Sequence, residues 1–485
     1  MTFTTKQSTQ KSASGQMHRV SHIHFVGIGG AGMSGIAEVI ANTGYQVSGS
    51  DLKESAMTRH LQSSGIEIQI GHRAENVSNA DVVVVSTAIP IDNPELRAAR
   101  EKRIPVVPRA EMLAELMRFR KGIAVAGTHG KTTTTSLLAA ILAEAGMDPT
   151  FIIGGLVNAF GSHARLGQGE YLVAEADESD GSFLLLQPMM AVITNIDSDH
   201  LETYGGDFDN LRHAFLEFIH HLPFYGVSVL CIDDPEVKRI AGDVSRTTLT
   251  FGQDPEADIR AENIRQQGRQ MSFDVRFPNQ EGLLGITMNL PGTHNVRNAL
   301  GAIAAAWEVG VKPEAMQFAL QEFAGIGRRF EEVGELSIDK GSVTVLEDYG
   351  HHPTELAVTI EAARNGWPDR RLVVVFQPHR YSRTHELFDD FAQVLAEPDA
   401  LVITDVYPAG EDLIPGADAR SLCRAVRSRG RVDPVLIADV HSLSVQLPAI
   451  LKDGDLVLLM GAGDIGTVAS RLRSDCSFDK SGAGG

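Results

Sequence analysis

The stretch that most constrains the fold is Gly127-Thr128-His129-Gly130-Lys131-Thr132-Thr133, because of what flanks it. An apolar run, Ile123 to Ala126, precedes it and suits a buried strand. Ser136 to Ala145, rich in Leu and Ala, reads as a helix. Strand, glycine loop and helix N-terminus together make a phosphate cradle. The loop amides and the helix dipole face the anion, Lys131 adds a mobile positive charge, and the Thr132 hydroxyl suits Mg2+. The usual pattern has a glycine five places before the second one; Val125 stands there, so the loop is a shortened variant. The pattern points to a bound nucleoside triphosphate.

The chain before this loop carries a second glycine motif. His24-Phe25-Val26 runs into Gly27-Ile28-Gly29-Gly30-Ala31-Gly32, a helix is expected from Met33 to Thr43, and the strand Gln46 to Gly49 ends at Ser50-Asp51. Glycines that open a helix, with an acid about twenty residues on, bind a pyrophosphate and a ribose. Such a unit takes NAD, FAD or a UDP-sugar. Asp81 to Val85 is a buried parallel strand by its unbroken β-branched run. Pro90, Pro94, Pro105 and Pro108 mark the passage to the next domain.

Beyond the phosphate loop, two strands end in acids. Tyr171 to Ala174 leads into Glu175-Ala176-Asp177-Glu178, and Ala191 to Thr194 into Asn195-Ile196-Asp197-Ser198-Asp199-His200. In an open parallel sheet these ends share the edge of the phosphate loop, where an acid holds Mg2+ against the phosphates. Spacing alone does not choose among them, and His200 is an unusual ligand for so hard an ion. Val227 to Leu290 reads as a hairpin-rich insertion. His294-Asn295-Val296-Arg297-Asn298 then opens an Ala-rich helix, with Asn295 and Asn298 on one face.

Gly325 to Phe330 reads as a hinge. After it, strands end in Asp348-Tyr349-Gly350-His351-His352-Pro353, in Gln377-Pro378-His379-Arg380-Tyr381-Ser382-Arg383, in Asp405 to Gly410, and in Gly461-Ala462-Gly463-Asp464-Ile465-Gly466. This is a second nucleotide-type fold whose loops face a site between domains. The last run again fits G-x-G-x-x-G and is either a plain glycine turn or a second dinucleotide site. Arg380 and Arg383 suit a carboxylate or a phosphate.

Composition sets the class. The 485 residues suggest about three domains. A net charge of −19 argues against a general nucleic-acid binder. The three cysteines, Cys231, Cys423 and Cys476, form no CxxC and imply no disulfide framework or zinc site. Met1 to Gln16 is polar and unlike a secretory signal, and no run approaches a membrane span. The expectation is a soluble cytoplasmic enzyme without membrane insertion.

Taken together, the motifs resemble those of the Mur ligase family, ATP-dependent amide-forming ligases of bacterial peptidoglycan assembly. The resemblance runs from about His22 to Arg473 and rests on residues 127–133, 175–180, 197–200, 294–298, 348–353 and 377–384. The first run is shared across the family; the last two resemble the branch that adds L-alanine. The resemblance implies an α/β protein of three-domain Mur ligase architecture. Its parts would be a Rossmann-like N-terminal domain over 18–110, a P-loop-type central ATPase domain over 111–325 and a Rossmann-like C-terminal domain over 326–475. Flexible tails would occupy 1–17 and 476–485.

The small-molecule substrates implied are UDP-N-acetylmuramate and L-alanine, with ATP and Mg2+, in cell-wall biogenesis and so in cell shape and division. Gly27, Gly29, Gly32 and Asp51 would bind the UDP-substrate. Gly127, Thr128, His129, Gly130, Lys131, Thr132 and Thr133 would hold the ATP phosphates, and Asn295 and Asn298 would lie near the adenine. Thr132 and Glu175 would take Mg2+, with His200 at a second metal position. Arg329 and Asp348 would reach the nucleotide, and His351, Arg380 and Arg383 the amino-acid or acyl end. Several members carry a lysine, modified to a carbamate, some fifteen residues after the histidine of the Asp-His pair. Leu201 to Tyr225 contains none, and Phe215 lies near the place, so that modification is not carried over. The rival expectations are a relative that adds a preformed tripeptide to the same nucleotide sugar or glutamate to folate, a nicotinamide-dependent oxidoreductase, and a regulatory ATP-binding module.

Overall fold

The computed structural model describes residues 17, 19–157, 162–339 and 341–479, so of the tail expected at 1–17 all but Met17 lies outside the described residues. Three sheets carry the chain. The first has five parallel strands in the order Glu67–Ile70, Gln46–Asp51, His22–Val26, Val82–Val85 and Val106–Pro108. Its first strand leads through Gly27 (φ 78°) into the helix Ala31–Asn42. Val26 pairs with Ser50, which sets Gly27 and Asp51 side by side on the carboxyl edge. A charged network is buried beside Ser50. Glu95, fully buried, accepts hydrogen bonds from Ser50 Oγ (2.7 Å) and Asn76 Nδ2 (2.5 Å) and lies 3.8 Å from His24.

The central sheet has ten strands, with Lys121–Ala126 between Met190–Ile193 and Tyr171–Glu175. All three run parallel. Ala126 is level with Ile193 and Val125 with Glu175, so the loops after these strands leave from one edge. The helix after the phosphate loop spans Lys131–Glu144, earlier than the Ser136 start that composition suggests. Four successive threonines favour helix weakly. Burial decides instead, helped by Thr135 and Ser136, whose hydroxyls bond back to Lys131 O (2.8 Å) and Thr132 O (2.7 Å).

The expected insertion over 227–290 is a correction. Val227–Cys231 and Thr247–Gly252 extend the parallel sheet, with the helix Pro235–Ala241 between them. Hairpins begin only with Ile259–Gln267, Gln270–Arg276 and Leu284–Met288. Ser228 misleads the pattern: it is buried within its strand and bonds Thr248 Oγ1 (2.9 Å), so a core strand imitates polar alternation.

The third sheet orders its strands Glu331–Ile338, Gly341–Asp348, Leu456–Met460, Leu372–Phe376, Ala400–Ile403 and Val435–Leu436. Its first pair is antiparallel and the rest parallel. The last helix, Ile465–Asp479, runs into the stretch expected as a tail from 476, and 480–485 lie outside the described residues. At the expected hinge, Arg328 (φ 61°) and Phe330 (φ 48°) adopt the left-handed backbone that side chains disfavour. Arg328 is fixed there by Glu347 (2.6 Å) and Gly461 O (2.8 Å).

The three units are joined differently. One apolar core runs from Phe25, Ile36 and Ile40 of the first unit through Ile152, Ala164 and Phe215 of the central one. The third unit has its own cores on the two faces of its sheet. It meets the central one through polar contacts such as Gln266 Nε2 to Ala362 O (2.8 Å) and Arg269 to Glu332 (3.0 Å). An exposed ion pair contributes about 0–1 kcal/mol, so this junction is the weaker one and domain motion belongs here. Cys231 and Cys423 are buried and unpaired, as expected of incidental thiols, and the Cys476 side chain lies outside the described residues. Among the described residues no helix is long and apolar enough to cross a membrane.

Candidate active site

The phosphate loop is held by the neighbouring strand. His129 N–H donates to Asn195 Oδ1 (2.8 Å), Thr194 Oγ1 donates to His129 O (2.6 Å), and Asp197 N–H donates to Thr128 Oγ1 (2.9 Å). Gly130 turns into the helix at φ 82°, and a Cβ there would lie 2.3 Å from Asn298 Oδ1, so glycine alone fits. The helix start has no side-chain cap, which leaves its dipole and amides facing the loop. Lys131 folds back over the loop. Its Nζ donates to Gly127 O (2.7 Å), Thr128 O (3.1 Å) and Glu178 Oε2 (2.7 Å). Burial works against the charged form, but Glu178, Asp177 and Glu175 outweigh it and hold the ammonium above its ordinary range. Glu178 is a residue that sequence reasoning left undistinguished within its acidic run.

Glu175 faces the same loop. It accepts the Gly154 N–H (2.8 Å) and a hydrogen bond from the Thr132 side chain, and burial raises its pKa. A hydroxyl and a partly uncompensated carboxylate side by side are hard oxygen donors, a set that fits Mg2+. His200 (φ 57°) lies 3.5 Å from Asp199 Oδ2, and burial lowers its pKa, so the ring is neutral at pH 7. Arg383 of the third unit reaches the same Asp199 oxygen at 3.5 Å. Phe215, near the place where the resemblance would put a modified lysine, lies in the core against Phe183 at a ring distance of 5.2 Å.

Two cavities flank this loop. One, of about 310 Å3, lies between the central and third units. It gathers Asn295, Asn298, Arg329 and Asp348, residues far apart in the chain, around His129 and Gly130. Asn298 Nδ2 donates to Asn295 Oδ1 (3.1 Å), and Asn295 Nδ2 to Pro291 O (2.7 Å). Asp348 accepts the amides of Phe330 (2.9 Å) and Gly350 (2.7 Å), while burial raises its pKa. The Arg329 guanidinium lies over the Tyr349 ring (5.2 Å) and 3.8 Å from Glu355.

The second cavity, of about 190 Å3, lies between the first and central units. Gly32, Arg109, Lys131, Gly154, Glu175 and Asp177 line it. Arg109 pairs with Asp177 (3.1 Å), and a Cβ on Gly32 would meet its guanidinium at 2.6 Å. Nothing in its sequence neighbourhood marks Arg109. Asp51 is turned to its own loop, where Oδ2 accepts the Gly29 N–H (2.9 Å).

Of the third-domain candidates, two face inward. His351 lies 3.4 Å from Glu355, and burial pushes its pKa down to about 4. Arg383 is buried, whereas Arg380 (φ 70°) is exposed. The Gly461–Gly466 motif is a protein-filled turn. Gln377 Oε1 accepts the Ile465 N–H (2.9 Å), and its Nε2 donates to Asp464 Oδ1 (2.5 Å).

The Mur ligase family catalytic domain matches residues 22–121, the Mur ligase middle domain 125–306, and the Mur ligase, glutamate ligase domain 328–463. Among solved structures, the UDP-N-acetylmuramate-alanine ligase of Thermotoga maritima is 30% identical over 94% of this chain and 99% of its own, with a TM-score of 0.78. A murein peptide ligase of Psychrobacter arcticus is 28% identical over 94% of this chain and 98% of its own, with a TM-score of 0.69. MurF of Acinetobacter baumannii, at 20% identity, 89% and 90% coverage and a TM-score of 0.59, shares the fold. With a family domain matched on each of its three sheets and a full-length relative at this identity, the chain belongs to the Mur ligase family, the ATP-dependent amide ligases of peptidoglycan synthesis.

Proposed function

We propose that the protein joins L-alanine to the lactyl carboxylate of UDP-N-acetylmuramate and releases ADP and phosphate. The observation that carries this reading is the full-length likeness to the Thermotoga maritima ligase, with a TM-score of 0.78 against 0.69 for the murein peptide ligase. In this reading residues 18–110 hold the UDP-substrate through Gly27, Gly29, Gly32 and Asp51, residues 111–325 hold ATP, and residues 326–475 close over the site. The adenine side of ATP takes the larger cavity beside Asn295 and Asn298, with Arg329 and Asp348. The acyl end takes the smaller one, beside Arg109.

An amine does not displace oxide from a carboxylate at neutral pH, so the carboxylate is activated first. Its oxygen attacks the γ-phosphorus of ATP, giving an acyl phosphate and ADP. The L-alanine amine then attacks the acyl carbon, and phosphate leaves with the oxygen that bridged carbon and phosphorus. Lys131 leaves Glu178 for the phosphates and follows the charge as it shifts. Thr132 and Glu175 would hold Mg2+, with His200 at a second metal position, and the ion would supply positive charge to the phosphate oxygens. His351, whose pKa burial lowers to about 4, is the candidate base for the amine proton, with His200 the alternative if it holds no metal. Arg383, and more weakly the exposed Arg380, serve the amino-acid or acyl end. Closure of the third domain keeps water from the acyl phosphate.

A second reading, ligation of a preformed tripeptide to the same nucleotide sugar, is favoured by the 28% identical match over 94% of the chain. Phosphate release with ATP, Mg2+ and UDP-N-acetylmuramate separates the two, with L-alanine, other amino acids or tripeptide added singly. Release that requires L-alanine supports the first reading. Release only with tripeptide replaces it with the second.

A further inference from the structure

One side-chain cluster, which shares His129 with the phosphate loop and lines the larger cavity through His129 and Asp197, has no metal role above. His129 and Asp197 come from the central unit and His352 from the third, where it precedes the helix Pro353–Gly366. His129 Nε2 lies 3.0 Å from Asp197 Oδ2, His352 Nδ1 lies 4.0 Å from the same oxygen, and the two rings are 5.1 Å apart. Among the described residues, this is the group of three His, Cys, Asp or Glu whose ligand atoms all fall within 4.8 Å of one another. We propose that His129, Asp197 and His352 form a binding site for a transition-metal dication of the zinc class, bridging the central and third domains.

The donor set argues for this class. Two imidazoles and one carboxylate make a three-ligand zinc site with a fourth position open, whereas Mg2+ prefers oxygen. Ligand atoms in a tetrahedral zinc site stand about 3.4 Å apart, so the observed 3.0 and 4.0 Å need only small side-chain rotations. The surroundings are prepared as well. Glu355 Oε1 lies 3.6 Å from His129 Nδ1, where it holds a proton on that nitrogen and turns Nε2 toward Asp197. Asp197 is oriented by the Ser198 amide (2.7 Å) and by Thr354 Oγ1 (2.8 Å). His352 is 3% exposed; its Nδ1 accepts the Thr354 N–H (3.3 Å), a helix cap that the ion would displace, and its buried Nε2 has no hydrogen-bond partner. An ion here replaces the proton that His129 shares with Asp197.

The consequence is mechanical. The ion fastens the phosphate loop to the third domain across the weaker of the two junctions, and so opposes the opening that releases product. The site stands on its own geometry and does not depend on which acceptor the enzyme uses.

The test titrates the full-length protein with Zn2+ and Co2+ in excess Mg2+, following bound metal, the visible spectrum of Co2+ and the melting temperature. The wild type is expected to retain one Zn2+ per chain, to give the visible bands of four-coordinate Co2+ and to melt higher with Zn2+. His352→Gln and Asp197→Asn, each checked for folding by circular dichroism, are expected to bind at least tenfold more weakly and to lose both the bands and the thermal shift. His441→Gln, at a half-exposed histidine remote in the third domain, is expected to change none of these. Zn2+ that Mg2+ displaces from the wild type, or wild-type affinity in either folded cluster variant, overturns the proposal.

Discussion

Two loops of this protein follow the same recipe of strand, glycines and helix, and the structure uses them in opposite ways. At Gly127–Thr133 the helix start has no side-chain cap, and a lysine and two carboxylates converge on the loop. At Gly461–Gly466 the Gln377 side chain reaches in from a neighbouring strand and takes the helix amide of Ile465. Local sequence makes both turns; side chains contributed from elsewhere decide which one stays open to a phosphate.

The largest effect is expected at Lys131. Lys131→Ala should lower turnover by about 10²–10³-fold with an unchanged circular dichroism spectrum. Retained turnover in a folded variant would erase the distinction between the two loops. Gly130→Ala comes next, because its φ of 82° alone costs about 1–2 kcal/mol, and the added Cβ would press on Asn298. Both ATP affinity by calorimetry and the melting temperature should fall.

Gln377→Ala sharpens the other side of the comparison. Losing the contact at the helix start should cost about 0.5–2 kcal/mol in urea unfolding, while ATP still binds once per chain. A second bound nucleotide in the wild type would show that the glutamine does not fill the turn.

The smallest effect concerns the domain of the remaining glycine loop. Burial alone would raise the Glu95 pKa, but the His24 ring 3.8 Å away and hydrogen bonds from Ser50 and Asn76 outweigh it and hold the pKa below 4.5. The stability it contributes is present above 4.5 and is lost as pH falls through the lower folded value. Between about pH 5 and 3 the urea midpoint of the wild type should therefore fall more steeply than that of Glu95→Gln. Parallel slopes would mean that Glu95 is not held ionised.

What the sequence discloses follows from distance along the chain. The phosphate loop is legible because strand, glycines, lysine and threonines are contiguous, and Val26 to Asp51 because a βαβ unit is local. Glu178 as the partner of Lys131, Arg109 in the cavity between the first and central units and Gln377 in the third glycine turn are not legible, since each acts on a residue brought near by sheet order alone. The roles of Asn295, Asn298, Arg329 and Asp348 came from family resemblance. The structure adds that they line one cavity, a fact no spacing contains. The misread stretch over 227–290 failed for the converse reason: Ser228 satisfies its hydroxyl within the core and hides a buried strand behind a polar letter.

The central claim, that the carboxylate is phosphorylated before the amine attacks, is tested most directly by isotope transfer. UDP-N-acetylmuramate labelled with oxygen-18 in its lactyl carboxylate is turned over with ATP and L-alanine, and the phosphate is analysed by mass spectrometry. The account predicts one labelled oxygen in the released inorganic phosphate and none in the nucleotide. Label in AMP, or phosphate free of label while amide forms, would contradict it.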